Sequence, residues 1–276
     1  MSKEEYFAFV ESLASELNRH DVKLTSFPDI VLRIRIALDN PDTTSNNLAT
    51  ILSVDPVLAS RVLVLANSTY YSAGGIKVEN LNAAIGRIGF ATVRTSAITY
   101  AVELLHASEG LGALKSELRR TWSAALRRAA MSEVMARYCS RLNGDTAFIA
   151  GLLNQIGVLY LFTKYDEYPN LLQDPDSRES LIDEWAAPIG ENIVANWNFS
   201  DEIQATLNPD ENEAARPDNE PTLVDVVLAA KTWLDSGGHE LCETPAMERL
   251  KLSDAVMPEI LELFHLRLDS LASAIR

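Results

Sequence analysis

Along almost the whole chain apolar residues recur every three or four positions, and no stretch alternates with period two over the length of a strand. That spacing puts apolar side chains on one face of a helix and scatters them over both faces of a strand, so an all-α protein is predicted. With 276 residues, 47% of them apolar, the chain can bury a substantial core as one large domain or two smaller ones.

The punctuation between these segments sets the helix boundaries. Ser2 and Glu5 form a capping box for a first helix whose inner face is Tyr6, Val10, Leu13, Ala14 and Leu17. "FPDIVLRIRIAL" starts a second, with Pro28 in its first turn and Ile30, Ile34 and Leu38 on one face, and Pro41 stops it. In "SNNLATILSVDPVLASRVLVLANSTYYSAGG" two short helices divide at Asp55-Pro56. Asp55 is an N-cap acceptor there, and Pro56 suits the first helical position, where no amide hydrogen is needed. Leu58, Val62, Leu65 and Ala66 continue inward, with Asn67 and Ser68 near the helix end. Gly89 breaks "NLNAAIGRIGFATVRTSAITYAVELL" into two helices, and Asn80 caps its start.

A long amphipathic helix follows in "LKSELRRTWSAALRRAAMSEVMARYCSRL", with Leu118, Trp122, Ala125, Ala129, Val134 and Tyr138 predicted inside. The segment "AFIAGLLNQIGVLYLF" (147–162) is apolar enough to be central to a core and reads as a single helix. Residues 208–221, "NPDENEAARPDNEP", have no apolar period and read as a linker or long loop. Two last helices, "TLVDVVLAAKTWL" and "SDAVMPEILELFHLRLDSLASAI", are predicted beyond it, and an apolar face on "PEILELFHLRL" is expected to be exposed and to suit a homodimer.

Charge and cysteine content exclude several classes of function. A net charge of −15 argues against a nucleic-acid partner, because a backbone-reading surface needs excess Lys and Arg. The charge is uneven: 16 acids stand against 6 bases from Asp201 onward, and 7 bases against 2 acids from Lys115 to Arg141, so the acidic tail and the basic helix can meet. Cys139 and Cys242 lie in no metal-like spacing, which predicts reduced, structurally quiet thiols and no thiolate zinc. No run of 18 apolar residues occurs, and the opening "MSKEEYFAFVESL" lacks a basic leader, so no membrane insertion and a cytoplasmic location are expected.

No catalytic signature emerges from the residue types. The four histidines, His20, His106, His239 and His265, sit in no recognisable motif, and neither G-x-S-x-G nor GxxxxGK[ST] is present. Arg119, Arg120, Arg127 and Arg128 are candidates for binding an anion or a partner, since guanidiniums suit phosphates and carboxylates. The alternative is a charged outer face paired with Glu117, Glu133 or the acidic tail. Trp122 and Trp197 are read as core.

Taken together, "FPDIVLRI", "VDPVLASRVLVLANSTYYS", "ENLNAAIGRIGFATVR", "TWSAALRRAA", "AFIAGLLNQIGVLYL" and "GENIVANWNFSDEI" resemble the HDOD proteins, bacterial signalling relatives of the HD-domain metal-dependent phosphohydrolases. Asp55-Pro56 followed by Asn67-Ser68 is the most specific element. The resemblance implies an HDOD domain over about residues 20–207, with an N-terminal helical lobe (about 20–108) and an HD-like lobe (about 109–207). Residues 1–19 form a helix before it, 208–221 a linker, and 222–276 a C-terminal helical extension.

In the HD enzymes, the resemblance implies, histidine stands where this chain has Ala124, His-Asp where it has Asn154-Gln155, and a further histidine near Ala186. All these ligand positions are replaced, so no catalytic residue, no metal and no cofactor are expected. Asn154 and Gln155 are then expected to satisfy buried backbone groups. The implied function is a non-catalytic signal-transduction module whose partners are other signalling proteins. Two alternatives stay open: a divergent phosphohydrolase using carboxylates such as Asp145, Asp166 or Glu191, and a nucleotide second-messenger sensor.

Overall fold

In the computed structural model the first part of the chain forms helices α1 (Lys3–Asn18), α2 (Asp29–Asp39), α3 (Ser45–Leu52), α4 (Pro56–Ala66), α5 (Thr69–Ser72) and α6 (Leu81–His106). There follow α7 (Lys115–Cys139), α8 (Gly144–Leu153), α9 (Ile156–Thr163), α10 (Pro169–Gln173), α11 (Pro175–Asn196) and α12 (Asp201–Gln204), the last running into a 3₁₀ turn, Ala205–Leu207. Then come α13 (Leu223–Asp235), α14 (Pro245–Arg249) and α15 (Met257–Ile275). The structure describes residues 3–19, 29–72, 75–106, 114–140, 142–164, 167–208, 220–237 and 244–275. Among these, 81% are helical and none is in a strand, as the apolar periodicity predicts. Ser2, Pro28, His20, Asp166, His239, Cys242 and nearly all of the 208–221 linker fall outside the described residues.

The caps act where the sequence puts them. Asp55 Oδ1 accepts from the backbone amides of Val57 and Leu58, both at 3.0 Å, and Pro56 opens α4. Asn80 Oδ1 accepts from the Ala83 amide at 2.8 Å. Gly89 bends α6 with φ 81° and ψ 163°. These angles fall in a region essentially reserved for glycine.

Two compact units divide the chain, and they do not follow its order as the sequence suggested. One holds residues 26–104 and 253–276; the other holds residues 1–25 and 105–252. The expected C-terminal extension is therefore shared between them.

In the first unit α15 packs on α4 and α5, and α2 on α3. Leu48, Leu52, Leu58, Val62, Ile85 and Ile260 are almost fully buried. Ile260 and Phe264 of α15, within the face expected to suit a dimer, are buried in the chain, while Leu266 stays exposed. Arg267 is buried on the same helix, its guanidinium 5.0 Å from the ring centre of Tyr70 and 5.5 Å from that of Tyr71, a geometry that offsets part of its desolvation.

In the second unit α7 packs on α8 and α13, and α9 on α11. Gly157 is required at the α9–α11 crossing: a Cβ there would lie 1.9 Å from the Ala186 carbonyl oxygen. Helix α1 joins this unit, with Phe9 edge-on to Tyr168 at 5.1 Å and Glu16 held by Lys164 Nζ at 2.8 Å and by the Tyr160 hydroxyl. Phe9, absent from the predicted face, is its most buried side chain.

Several sequence expectations are corrected here. The segment 147–162 is two helices, broken at Asn154-Gln155. Gly144–Thr163 is long and apolar enough to cross a membrane, but 78% of that window is buried within the fold. Tyr138 is exposed, and Trp122 and Trp197 are only half-buried. Helix α11 contains Pro188.

Candidate functional site

Residue types that need special surroundings gather at the junction of α7, the end of α8 and the end of α13. Arg128 is carried on α7 between Ala125, Ala129 and Ser132, all buried, and it is itself only 5% exposed. Its Nη1 donates to Asn154 Oδ1, and its Nη2 lies 3.8 Å from Asp235 Oδ1 at the end of α13. Asp235 is largely exposed, so water screens that pair and the amide oxygen is the nearer, better shielded acceptor. Burial pulls the Arg128 pKa below its ordinary value, and the Asp235 charge opposes this. A guanidinium nevertheless stays protonated in proteins.

Asn154 caps the C-terminus of α8, and both ends of its amide are used. While Oδ1 accepts from Arg128, Nδ2 donates to the Thr206 carbonyl at 2.9 Å, closing a buried backbone acceptor in the 3₁₀ turn. Gln155 precedes α9 and makes no side-chain cap. Among the described residues, Arg128 Nε and Ser132 Oγ are buried without a hydrogen-bond partner.

The other predicted ligand positions are not drawn into this cluster as ligands. Ala124 is exposed, one turn before Arg128 on α7. Ala186 is half-buried at the α9–α11 crossing, against Gly157. Among the described residues no three His, Cys, Asp or Glu side chains stand close enough to hold a metal. Of the carboxylates considered for a divergent enzyme, Asp145 is paired with Arg137 at 3.1 Å, in a chain that runs on to the buried Glu133. The metal that the resemblance implies does not fit the residue at Asn154, whose carbonyl oxygen already accepts from the buried Arg128 guanidinium.

The four arginines behave differently from one another. Arg119, Arg120 and Arg127 are exposed on α7, Arg120 lying 3.7 Å from Glu117, while Arg128 points inward. Glu117 is held below its ordinary pKa, first by the Ser116 hydroxyl and also by Arg178 and Arg120. Sequence reasoning placed all four arginines in one class and did not find Asp235 or Thr206. The run of small residues around Arg128, at helical spacing, was the available signal that it faces a core.

The signature residues of the other unit form a structural joint. Asn67 Nδ2 donates to the carbonyls of Leu63 (3.0 Å) and Val78 (2.8 Å), and its Oδ1 accepts from the Val78 amide at 2.8 Å. The amide thus acts as a strand partner that clips residues 75–79 to α4. Ser68 Oγ donates to the Leu65 carbonyl and accepts from Ser270 Oγ of α15 at 3.0 Å. A groove of about 720 Å³ runs beside this joint, lined by Asn67, Ser68, Lys77, Asp269 and Ser270 among others. Asp55 lies near Tyr100, whose phenol pKa is raised first by burial and then by that carboxylate.

Against known proteins, the family model of the HDOD domain matches residues 24–212. The fold is that of the "Putative metal-dependent phosphohydrolase" of Shewanella amazonensis SB2B, with a TM-score of 0.78 and 22% identity, covering 97% of this chain and 99% of that one. An HDOD domain protein of unknown function from Geobacter sulfurreducens superposes with a TM-score of 0.66 at 21% identity, over 95% of this chain and 99% of that one. A "Putative signal transduction protein" of Marinobacter aquaeolei VT8 does so with a TM-score of 0.67 at 20% identity, over 98% of this chain and 66% of that one. An uncharacterized protein of Treponema pallidum (strain Nichols) is 23% identical over 221 residues, 75% of this chain; the chain spans 41% of that relative's length.

Proposed function

The chain belongs to the HDOD domain family, and from that premise we propose that it is a non-catalytic signal-transduction module of bacterial signalling, working in the cytoplasm by binding other signalling proteins. One observation supports this reading: the Asn154 amide, where the resemblance implies an HD ligand, is bound at one end to the buried Arg128 guanidinium and at the other to a backbone carbonyl. A hydrolase of the HD type needs imidazole and carboxylate lone pairs directed at a metal, and here the Asn154 oxygen is directed at a guanidinium. Similarity of fold to a protein described as a phosphohydrolase does not supply the missing ligands, since function resides in the site and not in the fold.

The exposed arginines of α7 suit the binding role. Arg119, Arg120 and Arg127 present guanidiniums outward, on a chain that is otherwise strongly acidic. An acidic surface or tail on a partner is the complement.

Metal content by mass spectrometry tests the catalytic side, after exposure to manganese, iron and zinc and removal of loosely held ions. Far less than one equivalent is expected, together with no turnover of an activated phosphodiester. A tightly held stoichiometric metal with turnover would overturn the reading. Pull-down from the source cell tests the binding side: a partner should be retained by Asn154→Ala and lost when Arg119 and Arg120 are changed to Glu.

A further inference from the structure

We infer that the Arg128 guanidinium is an internal cation that does the structural work of a metal at this junction, tying α7 to the end of α8 and the end of α13 without a divalent ion. The inference rests on the same reading of the Asn154 position as the proposed function, and it adds what replaced the metal.

The geometry has the polarity of a cation site. A positive group sits at the centre, at 5% exposure, and oxygen acceptors from two other helices face it: Asn154 Oδ1 from the α8 cap and Asp235 Oδ1 from α13. Asn154 then passes the connection on through Nδ2 to the Thr206 carbonyl, so the 3₁₀ turn after α12 belongs to the same network. A guanidinium can do this because its donors are fixed in a plane and spread over several nitrogens, whereas an ammonium is a point charge. A charge this buried is tolerated only where it is paired and hydrogen-bonded, so the acceptors around Arg128 are a condition of the fold and not an ornament of it. Sequence-distant elements, separated by 26 residues between Arg128 and Asn154 and by 52 between Asn154 and Thr206, are joined through these two side chains.

The test is a double-mutant cycle read by thermal melting, run in chelator and again with saturating manganese or zinc. Asn154→Ala alone should lower the melting temperature by roughly 5 °C, the effect of removing a hydrogen bond to a charged group in a chain of this size. In an Arg128→Met background the same change should cost less than about half as much, because only the bond to Thr206 is then lost. If Arg128→Met does not fold, Arg128→Gln takes its place, keeping a donor without the charge. The wild-type melt should be the same with chelator and with metal to within about 1 °C, since nothing that binds the folded state has been added or removed.

Equal losses in both backgrounds, with a melt indifferent to metal, would overturn the guanidinium inference and leave the non-catalytic reading in place. A chelator-reversible rise in melting temperature on adding metal would overturn both.

Discussion

Replacing Gly157 by alanine sets two effects of known sign against each other. Gly157 lies inside α9, where alanine is favoured over glycine by about 1 kcal/mol on helix propensity alone. The added Cβ, however, would stand 1.9 Å from the carbonyl oxygen of Ala186, 2.7 Å from its carbonyl carbon and 3.0 Å from its Cα. All three are backbone atoms of α11, so no side-chain rotation relieves the contact, and the two helices must separate by about 1 Å or more at their crossing. Overpacking of this kind costs about 1–3 kcal/mol, and the rigid obstacle puts it at the upper end, leaving a net loss of about 2 kcal/mol. The melting temperature should fall by about 4–8 °C. Gly86 of α6 is the control, because nothing lies within 4 Å of a Cβ built there; Gly86→Ala should gain about 1 kcal/mol. Thermal and urea melts followed by far-UV circular dichroism measure both. If Gly157→Ala melts at or above the wild type, as Gly86→Ala should, the crossing is looser than described and the argument fails.

Arg249→Ala removes the guanidinium that contacts Asp225 at 2.7 and 2.8 Å, while Asp225 stays fully buried; a loss of about 3–5 kcal/mol is expected, recovered in large part by adding Asp225→Asn. A single variant as stable as the wild type in urea would refute it. The Cys139 thiol is pushed up to about 11 by burial, so its reactive thiolate is scarce below that pH and increases as pH rises. In a Cys242→Ser background, its alkylation rate should climb about tenfold per pH unit from neutral to pH 10 without levelling off; a plateau near pH 8–9 would contradict the burial.

The helical class and the helix caps were legible because they depend on neighbours within a few positions. Asp55 and Asn80 cap as their spacing required, and Gly89 bends α6, each decided by local backbone geometry. The break at Asn154-Gln155 was not legible, since the apolar run on either side reads continuously and the partners of the Asn154 amide lie 26 and 52 residues away, at Arg128 and Thr206. Four arginines on one helix look alike in composition. Tertiary packing alone made Arg128 the buried one and left Arg119, Arg120 and Arg127 outside. By the same token, the apolar face of α15 was visible in the sequence, but not that Ile260 and Phe264 on it are buried in a unit where α15 packs on α4 and α5. The sequence by itself therefore determined the helical class and the caps at Asp55 and Asn80, which are properties of residue type and short spacing. Which faces meet, and that the Arg128 guanidinium is buried against the Asn154 amide, only the tertiary structure decided, because desolvation and pairing depend on atoms that the chain brings together from far apart.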